Sequence, residues 1–316
     1  MSSMETSSVR DLLVTAVAPV AWGTTYLVTE TFLPPDRPLF DAAMRALPAG
    51  LVLLAFRRRL PHGDWWWKAV VLGTCNIGMF FPLIFLAAYQ LPGGLAATLQ
   101  ATSPLAVMGI AWLAIGERPG AVRIGSAVVG LLGVGLLVLR SPGTVSTLGL
   151  AAAFGSVLVS ALGFVLVKRW PAPVDMLTLV SWQLVVGGTV LVPVFLLVEG
   201  VPPHLGVGNL AGLLWLASAG TAIAYVCWFR GLSRMPAGAA SLVGLVNPVV
   251  GTLLGIGFAG EAFGWPQALG MALVLGGVLV GQRYGARSTA PAPAPAPVAA
   301  AAPVENPDRV LVPAVR

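Results

Sequence analysis

A chain of 316 residues that is 57% hydrophobic and only 9% charged, with a mean hydropathy of +0.88, lies far from the roughly 25% charged residues of a soluble globular domain. Charge this sparse cannot cover a water-facing surface, and disorder, which needs low hydrophobicity, is excluded for most of the chain. The net charge of +6 invites a nucleic-acid reading, but the basic residues sit between apolar runs, the mark of membrane topology rather than of a phosphate-binding face.

Ten apolar segments follow one another along the chain, at 11–30, 38–56, 69–90, 94–115, 120–139, 147–168, 176–198, 209–231, 236–259 and 265–284. Each is near the ~20 residues that one bilayer crossing requires. The joins carry helix-stopping chemistry, among them Pro34-Pro35-Asp36-Arg37, Arg57-Arg58-Arg59, Gly116-Glu117-Arg118-Pro119 and Gly200-Val201-Pro202-Pro203. The sequence therefore predicts an all-α integral membrane protein: a short cytoplasmic N-terminus (1–10), two five-helix units (11–139 and 140–284) and a Pro/Ala-rich tail (285–316) expected to be disordered. The first apolar run lacks the cleavage pattern of a secretory signal and is expected to be retained.

Lysine and arginine set the expected orientation. With a cytoplasmic N-terminus, fifteen of the eighteen basic residues fall inside, only Arg37 and Arg140 fall outside, and Arg45 alone lies within a span. Both termini are then cytoplasmic, and the cell membrane is the expected location. Trp65, Trp66 and Trp67 beside this basic region suit an interfacial belt.

Cys75 and Cys227 fall inside apolar runs without metal or redox spacing, and His62 and His204 lie in predicted loops, so no metal and no cofactor are expected. Neither lysine, Lys68 or Lys168, sits in a phosphate-binding loop, so any work done would draw on a gradient rather than on ATP.

The chain also repeats itself. Residues 91–120 match residues 235–264 without a gap at a constant shift of 144, which carries Pro92 onto Pro236, Gly94 onto Gly238, Pro104 onto Pro248, Gly116 onto Gly260 and Glu117 onto Glu261. Five crossings per half is an odd number, so the second half enters from the opposite side and the repeat is inverted. Exchange between two such halves is the geometry of alternating access. Pro104 and Pro248 are expected to kink the fourth and ninth helices and to free a carbonyl beside Gln100, Ser103 and Asn247.

With Ala21-Trp22-Gly23-Thr24-Thr25 in the first helix, Arg45 in the second and the Pro-to-Gly-Glu pattern twice, residues 11–284 resemble the EamA family of the drug/metabolite transporter superfamily. Within it, Phe85-Leu86-Ala87-Ala88-Tyr89-Gln90-Leu91-Pro92-Gly93-Gly94-Leu95-Ala96-Ala97-Thr98 looks like the PecM group, described as exporters of the blue pigment indigoidine. The resemblance implies ten helices in two inverted halves around a central cavity and export of small metabolites or toxic compounds. Ala161-Leu162-Gly163 stands in the sixth helix where the Trp-Gly pair of the first would be expected, so the halves are not expected to contribute equally.

Polar groups inside the spans are the candidate substrate cavity: Trp22, Tyr26, Arg45, Asn76, Phe80, Gln100, Gln183, Tyr225 and Asn247, aromatic faces with isolated amides that suit a flat or amphipathic small-molecule solute. Arg45 has two readings, binding an anionic group or snorkelling outward to meet Asp41 one turn earlier. Small-residue pairs Ser126/Gly130, Gly251/Gly255 and Gly277/Gly281 are expected to pack helices within the chain, a homodimer seam being the alternative. The rival functions are a membrane-embedded lipid-modifying enzyme, which would need clustered nucleophiles or paired carboxylates, and a non-transporting interaction subunit, which would not require inverted symmetry.

Overall fold

The computed structural model describes residues 2–91, 99–138, 146–201, 204–258 and 264–283, and their regular elements are all helical. Eight segments are long and apolar enough to cross a membrane: Val9–Thr29, Pro38–Arg57, Trp65–Ala87, Thr147–Arg169, Met176–Val198, Val207–Arg234, Ala237–Phe258 and Trp265–Arg283. Two shorter apolar helices, Ser103–Ile115 and Ala121–Leu137, stand where the fourth and fifth of the ten expected crossings fall. The expected tail and the Pro92, Gly94, Gly260 and Glu261 members of the sequence repeat lie outside the described residues.

Local chemistry sets the helix ends. Helices α1 (Ser2–Gly23) and α2 (Thr25–Phe32) precede α3 (Pro38–Arg57), which opens on proline, whose missing N–H costs nothing in a first turn. Both carboxylate oxygens of Glu199 accept from the Leu39 and Phe40 N–H groups at 2.6 and 2.9 Å, capping α3 from a distant part of the chain. It ends at Arg58, which adopts a left-handed φ of 51°. After α4 (Trp65–Gly73) and α5 (Phe80–Gln90), α6 (Ser103–Ile115) ends on Gly116 at φ 72°, where a side chain would be strained. Helices α7 (Ala121–Val138), α8 (Thr147–Arg169) and α9 (Met176–Val198) follow; the Ser146 hydroxyl and the Asp175 carboxylate cap the last two. The second half continues with α10 (Val207–Ala217), α11 (Ala224–Arg234), α12 (Ala237–Val243), α13 (Val246–Phe258) and α14 (Trp265–Arg283).

Two π-helical turns interrupt this series, Thr74–Met79 between α4 and α5 and Ser218–Ile223 between α10 and α11. A shift of 144 residues carries the first turn onto the second at both ends, and α5 onto α11. The sequence repeat thus continues into backbone geometry where the residues themselves differ.

Helices pair across the halves in a pattern that the same shift preserves: α1 with α11 and α5 with α8, α1 with α13 and α6 with α8, α3 with α9, and α7 with α14. Small residues make these approaches close. A Cβ on Gly231 of α11 would lie 2.1 Å from the Thr15 hydroxyl of α1, and one on Gly188 of α9 2.6 Å from Leu47 of α3. In the α7–α14 seam a Cβ on Gly277 would lie 2.9 Å from the Ser126 carbonyl, and one on Gly281 3.1 Å from the Ser126 side chain, so these small residues do pack within the chain.

The prolines act differently from the expected mid-helix kink. Pro104 and Pro248 lie in the first turns of α6 and α13, just after breaks at Ala101–Thr102 and Gly244–Leu245. In a first turn a proline gives up no hydrogen bond of the helical ladder, so the helix restarts at it instead of bending through it. The Pro248 carbonyl accepts from the Thr252 hydroxyl at 2.8 Å, and Gln100 donates to Ser156 of α8 at 2.5 Å, so the polar groups near the prolines find separate partners. The tryptophan triplet divides as well: Trp66 and Trp67 are exposed, while Trp65 is buried against Trp182 with ring centroids 6.0 Å apart.

Candidate functional site

A π-turn inserts one extra residue into the helical hydrogen-bond ladder and leaves backbone carbonyls looking for other donors. Here side chains from the opposite half supply them. In the second-half turn, the Gly220 carbonyl accepts from the Arg45 guanidinium at 2.8 Å and from the Trp22 indole N–H at 3.1 Å, while Arg45 Nε donates to the Thr221 hydroxyl at 2.8 Å. In the first-half turn, the Asn76 carbonyl accepts from the Tyr225 hydroxyl at 3.2 Å. Asn76 and Gly220 are related by the 144-residue shift, so the arrangement is reciprocal in position although its donors differ.

Arg45 is 6% exposed and lies with its guanidinium carbon 5.0 Å from the Phe81 ring centroid. This corrects the snorkelling alternative: the side chain turns inward to the facing half instead of outward. The reason is local supply, since a carbonyl freed by the π-turn and a threonine hydroxyl give two hydrogen bonds and an aromatic face adds a cation–π contact, all in a place shielded from water. Asp41, one turn earlier on α3, is 4% exposed, and its Oδ1 has no hydrogen-bond partner.

The side-chain amide of Asn76 donates to Gln183 of α9 at 2.7 Å, joining a second pair of expected residues across the halves. Its Oδ1 is buried without a partner beside Gly163, where a Cβ would lie only 2.1 Å away. The glycine singled out in the sequence as a departure from Trp-Gly therefore makes room for Asn76. Aromatic rings enclose this centre: Trp22 meets Tyr225 at 5.6 Å and Trp228 at 5.3 Å, and Phe164 meets Trp228 at 5.4 Å. The Trp228 indole N–H is buried with no acceptor. The centre thus holds an unmatched acceptor and an unmatched donor within a mostly apolar, aromatic shell.

Of the nine expected cavity residues, the structure gathers Trp22, Arg45, Asn76, Gln183 and Tyr225 into one network. Phe80 stacks at its edge through Phe81, at 5.7 Å. Gln100 is engaged with α8, and the Asn247 backbone faces Gly23 of α1, apart from the network. The side chain of Tyr26 lies outside the described residues. Sequence reasoning missed Thr221, Trp228 and Phe164; a threonine in an apolar span was the available signal for the first, but the two aromatic residues look like ordinary lipid-facing ones.

Ion pairs mark one end of the bundle. Arg57 pairs with Asp175, Lys168 with Glu117, and Arg234 with Asp11. Glu117 also accepts from the Ala237 N–H, and Arg169 donates to the Ala114 carbonyl. For Asp175, burial pushes the carboxyl up, but hydrogen bonds from Arg57 and Thr178 and the Arg57 charge outweigh it and hold the group at about 2. At the other end Arg37 donates to the Glu199 and Val201 carbonyls, and Asn209 to the Phe32 carbonyl.

Comparison with known proteins places these features in a context. The model of the EamA-like transporter family matches residues 10–139 and again 147–281. The chain is similar to Protein PecM of Dickeya dadantii, 39% identical over 267 residues that cover 84% of this chain and 90% of that protein. It is also similar to an inner membrane transporter, YicL, of Salmonella typhimurium, 25% identical over 87% of this chain and 95% of that one. A solved crystal structure superposes with a TM-score of 0.77 at 20% identity, covering 89% of this chain and 99% of the other, a likeness of fold alone.

Proposed function

The chain belongs to the EamA-like transporter family and is a multi-pass membrane transporter of small substrates, and we propose that it exports a small metabolite, pigment or drug-like compound across the cell membrane by alternating access. The observation that carries this reading is the reciprocal bonding at Asn76 and Gly220. Each half offers a freed carbonyl at an equivalent place and each half is held there by side chains of the other. Two equivalent halves that grip one another near the centre can exchange roles, and exchange opens the centre to one side and then the other. The division at 11–139 and 140–284, with both termini cytoplasmic, belongs to this proposal; the ion pairs collected at one end, on the loops assigned to the inside, support it.

The solute would occupy the space bounded by Trp22, Arg45, Asn76, Phe80, Gln183, Tyr225 and Trp228, with Tyr26, Gln100 and Asn247 along the path. Rings on several sides favour a flat solute, and the unmatched Asn76 Oδ1 and Trp228 N–H favour one that carries both a hydrogen-bond donor and an acceptor. Asn76 and Gln183 are each 1% exposed while Trp22 and Phe80 are half-buried, so the two amides must be uncovered before a solute can reach them. Relatives that are named as transporters support transport over lipid modification.

The test is flux. Purified protein in proteoliposomes loaded with a panel of planar metabolites should release one or more of them faster than empty liposomes, and Asn76→Leu should slow that release. Absence of flux for every compound, together with thiol reagents reaching Trp22→Cys and Asn247→Cys from neither side, would remove the transporter mechanism from consideration.

A further inference from the structure

We propose that Asp41 is the proton-binding carboxylate that couples solute export to proton entry, and that Arg45 transmits its state to the centre; this rests on the alternating-access reading. Two carboxylates lie at the N-terminus of α3, and they are not equivalent. Glu199 takes the Leu39 and Phe40 N–H groups, whereas Asp41, buried a turn inside, has an oxygen with no partner. Its natural counter-charge is Arg45, one helical turn along the same face. Yet Arg45 is committed to the Gly220 carbonyl and the Thr221 hydroxyl of the other half. A buried carboxylate with no ion-pair partner among the described residues is costly in its charged form, and a proton removes that charge.

The charged and titratable groups that face Asp41 are Glu199 from the end of α9 and Arg45 on α3 itself, with Tyr225 of α11 beyond Arg45. Loss of the proton leaves a carboxylate one turn from a guanidinium, which draws Arg45 off Gly220 and loosens one of the two cross-half grips. Taking the proton back returns Arg45 to Gly220. One proton enters from the external side, forms the O–H bond of the Asp41 carboxyl, and leaves to the cytoplasm after the halves exchange, while one solute moves out. No other bond is made or broken.

The experiment uses the full chain in liposomes, with Cys75 and Cys227 replaced by alanine and Asn247→Cys added, and follows two signals across pH. Infrared difference spectra should show a protonated carboxyl band that titrates, is lost in Asp41→Asn and is retained in Glu199→Gln. Thiol labelling of position 247 should change with pH in the parent and in Glu199→Gln and be pH-independent in Asp41→Asn, while Asp41→Glu, which keeps a titratable group, should restore the dependence with a shifted midpoint. A carboxyl band that survives Asp41→Asn, or labelling that varies with pH equally in that variant, overturns the inference and leaves the transport reading standing. Labelling from neither side at any pH, in any variant, overturns both.

Discussion

The backbone carbonyls of Asn76 and Gly220, 144 residues apart, each accept a side-chain hydrogen bond from the other half of the chain, from Tyr225 in one case and from Arg45 and Trp22 in the other. The two grips are alike in position and unequal in strength. Gly220 has two side-chain donors, one of them charged, and Asn76 has one neutral donor. Charge-assisted bonds are roughly twice as strong as neutral ones.

The neutral grip is the simpler one to test. Tyr225→Phe keeps the ring, removes the hydroxyl that donates to the Asn76 carbonyl, and should cost about 1 kcal/mol of stability. Thermal unfolding in detergent measures the loss; an unchanged midpoint counts against the assigned bond.

Arg45 is expected to be indispensable and not replaceable by charge alone. Arg45→Ala should abolish flux while the protein remains folded in the membrane, and Arg45→Lys should recover only part of it, because an ammonium cannot reach Thr221 and Gly220 together as the guanidinium fork does. Full flux from Arg45→Lys would show that only the charge matters.

Gly163→Ala should disturb the centre directly. Its Cβ would lie 2.1 Å from Asn76 Oδ1, so Asn76 must move and release Gln183. The cost should be about 1 to 3 kcal/mol, as for other overpacked sites. Gly125→Ala, with nothing within 4 Å of the added carbon, is the control and should be neutral or slightly stabilising. Denaturation of both variants decides whether the close approach exists.

The α7–α14 seam gives a contrast between adjacent residues. A Cβ on Gly277 would lie 2.9 Å from the Ser126 carbonyl, while one on Gly276 meets nothing within 4 Å. Leucine at 277 should destabilise the protein strongly and leucine at 276 should be tolerated. Equal tolerance would mean that the two helices are not in contact.

Asp175 links stability to acid pH. Its carboxyl is held at about 2, below its ordinary value, so the folded state is favoured by ionisation: the contribution is complete above about pH 4 and is lost as pH falls toward 2. Arg57 and Asp175 are each about a third exposed, at 31% and 35%, and an ion pair so open to solvent is worth at most about 1 kcal/mol. Asp175→Asn keeps an acceptor for the Thr178 N–H and should lose only the ion-pair part; Asp175→Ala loses the cap as well, about 1 kcal/mol more. Thermal melts at neutral and acid pH separate the two contributions.

The sequence by itself determined the class of solvent, most of the crossings, the repeat and the family. These follow from composition, apolar length and gapless self-similarity, which depend on neighbouring residues alone. It also marked Arg45, Asn76, Gln183 and Tyr225, because polar groups in apolar spans are conspicuous. Only the tertiary structure decided their partners. Arg45 has an obvious neighbour in Asp41, yet it turns to Gly220 and Thr221, from which 175 and 176 residues separate it. A π-turn leaves no signature in the residues that form it, since Thr74–Met79 and Ser218–Ile223 share their position in the repeat and little else. Where a backbone carbonyl is the acceptor, the side chain that names the residue is silent, and pairing is decided by which helices the fold brings together.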